Sequence, residues 1–365
     1  MSKRMLNKTI MYISLFALNI FTLSAPVFAQ EASLTEKPKA INSIYFGSCA
    51  KQSKPMPIFD AIVKDDPEVF VFLGDNIYGD TEDMSVLKEK YETLGRHSGF
   101  KKLKATAELI AIWDDHDFGE NDAGKDYPQK EASRKLMLDF WGEDKNSLRY
   151  TNAGIYTSYT YGTGDNIVRV IMPDLRWNRD TLHDVGKLNY LTSRRGKNMG
   201  PYKPSPDKNA SMLGEEQWKW LEAELLKPAK IRIIASSLQL IPEFTGWESW
   251  ANFPLDRSRL LSFITKQKVD GVLMISGDTH WGEVSKQVEH VGYPLWEITS
   301  SGLSEKWKDV SPNKHRVGEF TNNVNYGFMN FDWSKSDPEI AFGLKDVKGD
   351  VFTEHTIKLS SITHQ

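Results

Sequence analysis

The sequence predicts an α/β protein in which buried strands are covered by helices. Five apolar runs of three to five residues each end in a polar cluster, as strands buried on both faces do. Amphipathic helical patterns lie between them, without an internal repeat or a domain-sized change of composition. The 365 residues are 40% hydrophobic and 12% aromatic, so the chain can form a substantial core.

The predicted elements follow from these patterns in chain order. The apolar runs predict strands at 44–46, 69–73, 109–113, 231–235 and 272–275. Alternating patterns predict further strands at 156–161, 167–172 and 351–359. Helical periodicity predicts helices at 85–95, 129–141 and 215–226. The segment 192–213, rich in Gly, Pro, Lys and Asn, predicts a long surface loop near the site.

The N-terminus has the pattern of a secretory signal peptide over residues 1–29. A positive start is followed by an apolar run at 11–23, and small residues at Val27 and Ala29 predict cleavage before Gln30. A retained N-terminal anchor is the alternative. Residues 30–40 read as a polar linker, and residues 41–365 as a single domain. We therefore expect a periplasmic or secreted protein with no membrane span in the mature chain.

Charge and cysteine content narrow the function classes. The formal net charge is −3 and no basic stripe is present, which argues against a nucleic-acid partner. Cys49 is the single cysteine, so it cannot form an internal disulfide. It is either a small buried side chain or a thiolate ligand.

The stretch AIWDDHDFGEND, residues 111–122, places five carboxylates within nine residues around His116. Carboxylates this close repel one another unless water solvates them or a cation neutralises them. An EF-hand calcium loop is excluded, because Gly119 occupies the third ligand position and Asp126 stands where glutamate is needed. A serine nucleophile is not predicted either, since the chain has no G-x-S-x-G motif.

Metal-competent side chains follow four of the five predicted strands. Ligands of open α/β sheets bind at the carboxyl ends of the strands, so we expect these side chains to meet. They are Cys49, Asp75, Tyr78, Asp115, His116, Asp278 and His280. Each one alone is weak evidence, but the combination predicts a metal site.

Two metal ions joined by a carboxylate fit this set best. Two cations about 3.5–4 Å apart clamp the attacking and leaving oxygens of a phosphate ester. Asp75, a short carboxylate at a strand end, qualifies as the bridge. Cys49 and Tyr78 favour iron or zinc on one side of Asp75. The other side is rich in oxygen donors, from Asp75, Asp115 and Asp278, and favours calcium, magnesium or manganese. Asp117 is a candidate to orient the His116 imidazole, because it is the next residue in the chain. Adjacency in sequence alone does not decide whether the two side chains are in contact.

Five motifs in this order resemble the alkaline phosphatase D (PhoD-like) family of the calcineurin-like metallophosphatases. They are GSC, GDNIYGD, WDDHDFGEND, SGDTHWGE and WEITSSG, within residues 41–304. The resemblance implies a four-layer α/β/β/α sandwich. It also implies phosphomonoesterase or phosphodiesterase activity on a phosphate ester substrate, in many members with iron and calcium.

The resemblance implies roles for individual residues. Cys49, Asp75 and Tyr78 ligate the Lewis-acidic metal, with Asp75 bridging; the further ligands are Asp115, Asp278 and His280. A metal-bound hydroxide attacks phosphorus, and His116 acts as general acid. Arg176, in PDLRW, contacts phosphate, and Asn121 reaches the metals.

The chain departs from the family pattern in two respects. The short segment between Gln30 and Ile41 cannot hold the extra N-terminal β-domain of larger members, and the signal peptide is not of the twin-arginine type. Two other functions fit the sequence as alternatives. One rival is a phospholipase D-like phosphodiesterase on lipid or nucleotide diesters. Its apolar pocket would be lined by Trp247, Trp250, Trp281 and Trp307. The other rival is a non-catalytic exported metal-binding module.

Overall fold

The computed structural model describes residues 36–365, which belong to one compact unit. The predicted signal peptide and the first part of the predicted linker lie outside the described residues. The second part of the linker contributes Glu36–Lys37 (β1), which pairs in parallel with Thr157–Tyr161. Among the described residues, no helix combines the length and the apolar character needed to cross a membrane.

Two large sheets contain most of the strands. The first sheet comprises β1, Thr157–Tyr161 (β5), Val168–Met172 (β6), Ile231–Ala235 (β9), Val272–Ser276 (β10), Gly282–Gln287 (β11) and Leu295–Ser300 (β12). The second comprises Ser43–Gly47 (β2), Val69–Leu73 (β3), Glu108–Ile112 (β4), Asn325–Asp332 (β13), Glu339–Asp346 (β14) and Val351–Lys358 (β15). Their strand orders are β1-β5-β6-β9-β10-β12-β11 and β15-β14-β13-β2-β3-β4. Two further strands, His183–Asp184 (β7) and Tyr202–Lys203 (β8), pair with each other.

Four helices cover the outer face of the second sheet: Ile58–Asp65, Met84–Arg96, Ser98–Thr106 and Lys130–Trp141. Phe72 of β3 packs against three of them, with ring centroids 6.3 Å from Phe59, 5.9 Å from Phe100 and 5.0 Å from Trp141. Such aromatic contacts bury large apolar areas, and β3 is buried at every position, which explains why all of its residues are apolar.

Two helices, Gly214–Leu226 and Pro254–Lys266, cover the first sheet. Arg232 of β9 donates from Nε to the Leu225 carbonyl at 2.9 Å, and the Trp218 indole donates to Asp256 at 3.0 Å. The inner faces of the two sheets meet where the Trp296 ring lies 5.3 Å from the Phe342 ring. The layers are therefore helix, sheet, sheet and helix, and the predicted four-layer sandwich is confirmed.

The register of the parallel strands brings the carboxyl ends of both sheets to one edge. β2, β3 and β4 run parallel to one another, and so do β9, β10 and β12. A parallel bridge between Ser48 and Ser301 joins the ends of β2 and β12. Side chains that follow strands in either sheet consequently face a common site.

The predicted strands and helices are present, with ends that differ by no more than one residue from the structure. The surface loop predicted at 192–213 is only partly correct. Two short helical segments, Tyr190–Arg194 and Arg195–Lys197, extend into it, and it also contains strand β8. The Gly-, Pro- and Lys-rich composition concealed these short elements, because one or two turns carry little periodicity.

Candidate metal centre

The loops that follow β2, β3 and β10 converge on a buried cluster. The Cys49 Sγ atom lies 3.5 Å from Asp75 Oδ2 and 3.8 Å from the Asp278 carbonyl oxygen. The Tyr78 hydroxyl lies 2.9 Å from His280 Nε2. The structure thus brings together residues that are separated by more than two hundred positions in the chain.

Among residues 36–365, four overlapping sets of donor atoms could each hold a cation. Within each set the donor atoms lie within 4.8 Å of one another. The sets are Cys49, Asp75 and His280; Asp75, Asp115 and His116; Asp114, Asp115 and Asp278; and Asp115, Asp122 and Glu248. Asp75 belongs to the first two sets, which is the arrangement that a carboxylate bridging two ions requires.

Buried carboxylate oxygens in this cluster lack hydrogen-bond donors. Among residues 36–365, Asp75 Oδ1 and Asp114 Oδ2 are buried without a hydrogen-bond partner. Burial, and then the charge of nearby carboxylates, raises the pKa of Asp75 and of Asp278 well above its usual range. An unpartnered buried carboxylate is costly, and a bound cation removes that cost. Thiol, imidazole and carboxylate donors are the side chains that iron and zinc sites use, so the residues fit bound metal ions.

Backbone strain concentrates at the same positions. Ten non-glycine residues of the described chain have positive φ, and six of them lie in or beside the cluster. These six are Cys49, Asp75, Asp80, Asp122, Asp278 and His280. Left-handed backbone is disfavoured for residues with a Cβ and persists where surrounding contacts enforce it, which is common at functional sites.

Gly74 allows β3 and β4 to approach each other at the cluster. Its φ is +99°, and a Cβ at this position would lie 2.5 Å from the Asp114 Cβ and 2.7 Å from the Asp114 nitrogen. A larger residue would push the two loops apart. The glycine therefore sets Asp75 beside the carboxylates that follow β4.

Asp117 does not orient His116, so that hypothesis is corrected. Its carboxylate accepts hydrogen bonds from the backbone nitrogens of Asp114, at 2.6 Å, and Asp75, at 3.2 Å. It also accepts one from the Asn76 amide at 2.6 Å. The side chain points into the turn that carries Asp75, because those backbone donors would otherwise be buried unpaired. Asp117 is a positioning residue.

The carboxylate that contacts His116 is Asp80, which the sequence did not single out. Asp80 Oδ1 lies 2.6 Å from His116 Nδ1, and the Tyr78 ring packs against the imidazole at 4.2 Å with the two planes tilted by 32°. Burial disfavours the charged imidazole, but the carboxylates of Asp115 and Asp80 outweigh it and raise the pKa of His116 to about 9. The Asp80 contact leaves the other ring nitrogen, Nε2, as the atom that can transfer a proton.

His280 has the opposite electrostatic environment. Burial lowers its pKa to about 4, and the Ser301 hydroxyl accepts a hydrogen bond from its backbone nitrogen at 2.7 Å. The neutral imidazole is the form that binds metals. The same hydroxyl lies 3.1 Å from Cys49 Sγ, so Ser301 fixes two candidate ligands at once.

Arg176 is buried behind the cluster and has no exposed surface. It donates from Nε to Asp114 at 2.5 Å and from Nη1 to both Glu248 oxygens at 2.7 and 2.9 Å. The phosphate contact expected from the family resemblance does not match this placement. Arg176 instead neutralises carboxylates that support the candidate ligands.

We predict that Arg176→Leu lowers the free energy of unfolding by roughly 3–5 kcal/mol, because it leaves Asp114 buried without a countercharge and leaves Glu248 with Arg179 alone, at 3.4 Å. Thermal and denaturant unfolding measure this loss. Arg259→Leu is the matched control, since Arg259 is 33% exposed and forms surface ion pairs. That control is expected to cost less than about 1 kcal/mol. An unchanged unfolding curve for Arg176→Leu, together with a raised KM, would restore the phosphate contact.

A cleft of about 160 Å³ opens beside the cluster. It is lined by Asp115, His116, Asn121, Asp122, Trp247, Glu248, Asp278, Thr279, His280, Trp281 and Trp307. Asn121 thus lies in the wall of the cleft. Trp250 does not line it, contrary to the prediction, because this side chain is fully buried and donates to Ser236 at 3.0 Å.

The fold, with the buried donor atoms at one edge of its two sheets, defines the metallophosphatase class. The solved structure of PhoD is similar to this chain, with a TM-score of 0.64 at 17% identity, over 90% of this chain and 74% of that one. The crystal structure of a dimetal phosphatase from Danio rerio has a TM-score of 0.52 at 14% identity, over 90% of this chain and 100% of that one.

The family model of the PhoD-like phosphatases matches residues 44–335, so the chain belongs to this family and the predicted resemblance is confirmed. Alkaline phosphatase D of Bacillus subtilis (strain 168) is 24% identical over 206 residues. The match covers 50% of this chain and 33% of the relative. The chain thus spans about a third of the length of the curated relative that it matches.

Proposed function

We propose that the chain is an exported, metal-dependent phosphoric ester hydrolase. The observation that carries this proposal is the position of Asp75, which belongs to two adjacent donor sets and has a buried oxygen without a hydrogen-bond partner. Family membership supports the class of reaction. Export depends on the predicted signal peptide with cleavage near Ala29, followed by a single domain at 41–365.

The donor chemistry favours different cations on the two sides of Asp75. Cys49, Tyr78 and His280 would hold an iron or zinc ion with Asp75. Asp115 and Asp278, on the oxygen-rich side, would hold calcium, magnesium or manganese. Bound cations lower the pKa of coordinated water and offset the charge of the phosphate oxygens.

His116 supplies the protein's own proton-transfer group. Its Nδ1 is engaged by Asp80, and the ring lines the cleft beside Asp115. A protonated imidazole at this position donates a proton to the leaving oxygen of the ester. Asp80 keeps the ring in one orientation, and Asn121 lines the same cleft as a polar contact for the ester or for an ion.

A phosphodiesterase activity on lipid or nucleotide diesters is the second candidate. Trp247 and Trp307 favour it, because their rings lie 5.6 Å apart, both line the cleft and Trp307 is 44% exposed. An apolar wall suits a substrate with a bulky second ester group. The non-catalytic metal-binding module, in contrast, gives no reason for the contact between Asp80 and His116.

Removal of metal tests the proposed function directly. Protein stripped with a chelator is expected to lose turnover of a chromogenic phosphate monoester and of its diester analogue, and single resupplied metals should restore it. The ratio of diester to monoester turnover separates the two candidate activities. Tight metal binding without turnover by any metal would favour the non-catalytic module and overturn the proposal.

A further inference from the structure

Residues 185–206, here called the basic segment, carry a charge opposite to that of the chain as a whole. The segment contains Lys187, Arg194, Arg195, Lys197 and Lys203 and no acidic residue, whereas the formal net charge of the chain is −3. Clustered cations create a positive local potential that attracts anions. The segment therefore has the charge complementary to an anionic surface.

Two leucines of the basic segment project into solvent. Leu188 is 77% exposed, the highest value among the large apolar side chains of residues 36–365, and Leu191 is 46% exposed. The backbone is helical from residue 187 to residue 197, which places positions three apart on neighbouring parts of the surface. Single exposed leucines are ordinary, but exposed leucines among cations are typical of helices that lie on a membrane surface.

One side of the basic segment packs against the loop that contains Phe244 and Gly246. The Arg194 guanidinium lies 4.5 Å from the centroid of the Phe244 ring and donates to the Tyr202 carbonyl at 2.8 Å. The Tyr202 nitrogen donates to the Gly246 carbonyl at 2.8 Å. These contacts fix one side of the segment, and the leucines and the remaining cations are exposed without further rearrangement.

The basic segment also borders the cleft of the candidate metal centre. A Cβ on Gly200 would lie 2.2 Å from the Gly246 carbonyl oxygen and 2.6 Å from the Trp247 ring, so the two backbones are in direct contact. Trp247 lines the cleft. The Tyr202 hydroxyl donates to Asp122, which lines the same cleft.

We propose that the basic segment docks onto a bilayer that contains anionic phospholipids. Leu188 and Leu191 enter the headgroup region, while Lys187, Arg195 and Lys197 pair with lipid phosphates. The exposed leucines favour a bilayer over a soluble polyanion, which offers no apolar phase. Docking places the mouth of the cleft, with the exposed Trp307, at the level of the headgroups, and it does not require ester hydrolysis.

Vesicle sedimentation tests the proposal. The protein should begin at Gln30, since the apolar run at 11–23 would bind lipid by itself and the described fold begins at Glu36. It is expected to bind vesicles of phosphatidylcholine that contain about one third phosphatidylglycerol, and to bind vesicles of pure phosphatidylcholine far more weakly. Binding to the anionic vesicles should weaken at high salt. The triple variant Lys187→Gln/Arg195→Gln/Lys197→Gln should bind about 100-fold more weakly. The double variant Leu188→Ser/Leu191→Ser should bind at least about tenfold more weakly.

Matched controls separate docking from misfolding and from catalysis. Val288→Ser/Val351→Ser removes apolar side chains that are 65% and 53% exposed in other parts of the chain, and it should bind as the parent does. All variants should keep the parent's circular dichroism and its turnover of a soluble ester. Equal binding of both lipid mixtures, or unchanged binding by the leucine variant, would overturn the proposal. Equally tight, leucine-independent binding of soluble polyphosphate would also overturn it, in favour of a purely ionic partner.

Discussion

Asp75→Asn is expected to lower turnover by about 10³-fold or more and to reduce the amount of bound metal. The substitution removes the charge shared by two donor sets, and bridging metal ions supply several kcal/mol of transition-state stabilisation. Asparagine tolerates the left-handed backbone that Asp75 adopts, with a φ of +49°, so the loop is retained. Elemental analysis and steady-state kinetics measure the two effects.

The unfolding curve separates a lost site from a lost fold. Burial and neighbouring carboxylates disfavour the charged form of Asp75, so the metal-free variant should unfold at the same or a higher temperature than the metal-free parent. Asp66→Asn is the matched control, since Asp66 is exposed and also has a positive φ, of +52°. It should keep both metal and turnover. Full metal content and turnover in Asp75→Asn would remove the bridging role.

His116→Ala is expected to lower turnover by about 10²–10⁴-fold while the metals stay bound, because Asp75, Asp115 and Asp278 remain as ligands. The loss follows from the absence of a proton donor for the leaving oxygen. It should be smaller for esters whose leaving group is a weak base, because such groups need less protonation. A series of aryl phosphates with different leaving-group pKa values measures this dependence, and elemental analysis confirms metal content.

Asp80→Asn is the companion variant for His116. It retains a polar contact to Nδ1 but removes the charge that favours the imidazolium, so we expect a smaller loss of turnover than for His116→Ala. In the double variant the two losses should not add, since Asp80 acts through His116. Equal turnover in His116→Ala and the parent would exclude His116 from the mechanism, and additive losses would give Asp80 a separate role.

Local sequence patterns predicted the strands that carry the site, because runs such as 69–73 are apolar on both faces and end at a polar turn. Strand order was not predictable in the same way. β2 lies between β3, its neighbour in the chain, and β13, which begins at Asn325. The pairing of β2 with β13 depends on tertiary packing, and neither strand carries a pattern that specifies its partner.

Most candidate ligands were predictable, because each directly follows a buried strand. Their supporting residues were not. Asp80 lies in a loop where an acidic residue reads as solvated, and Glu248 reaches Arg176 across 72 positions of the chain. Asp117 shows the limit of adjacency: it neighbours His116 in sequence, but its side chain is held by the turn at Asp75. The nearest residue in the chain was the wrong one to pair with the imidazole.

The second sheet joins strands that lie far apart in the chain, since β2 pairs with β13 and β15 lies at the edge of the same sheet. Synthesis proceeds from the N-terminus, so β2 lacks one of its neighbours until β13, which begins at Asn325, has been synthesised. Cys49 and Asp75 follow β2 and β3, and their partners at 278–280 come late. Assembly of the donor atoms is therefore a late event in folding, governed by distant contacts that form slowly. A metal ion can meet the full set of donors only after residues 278–280 have joined those that follow β2 and β3.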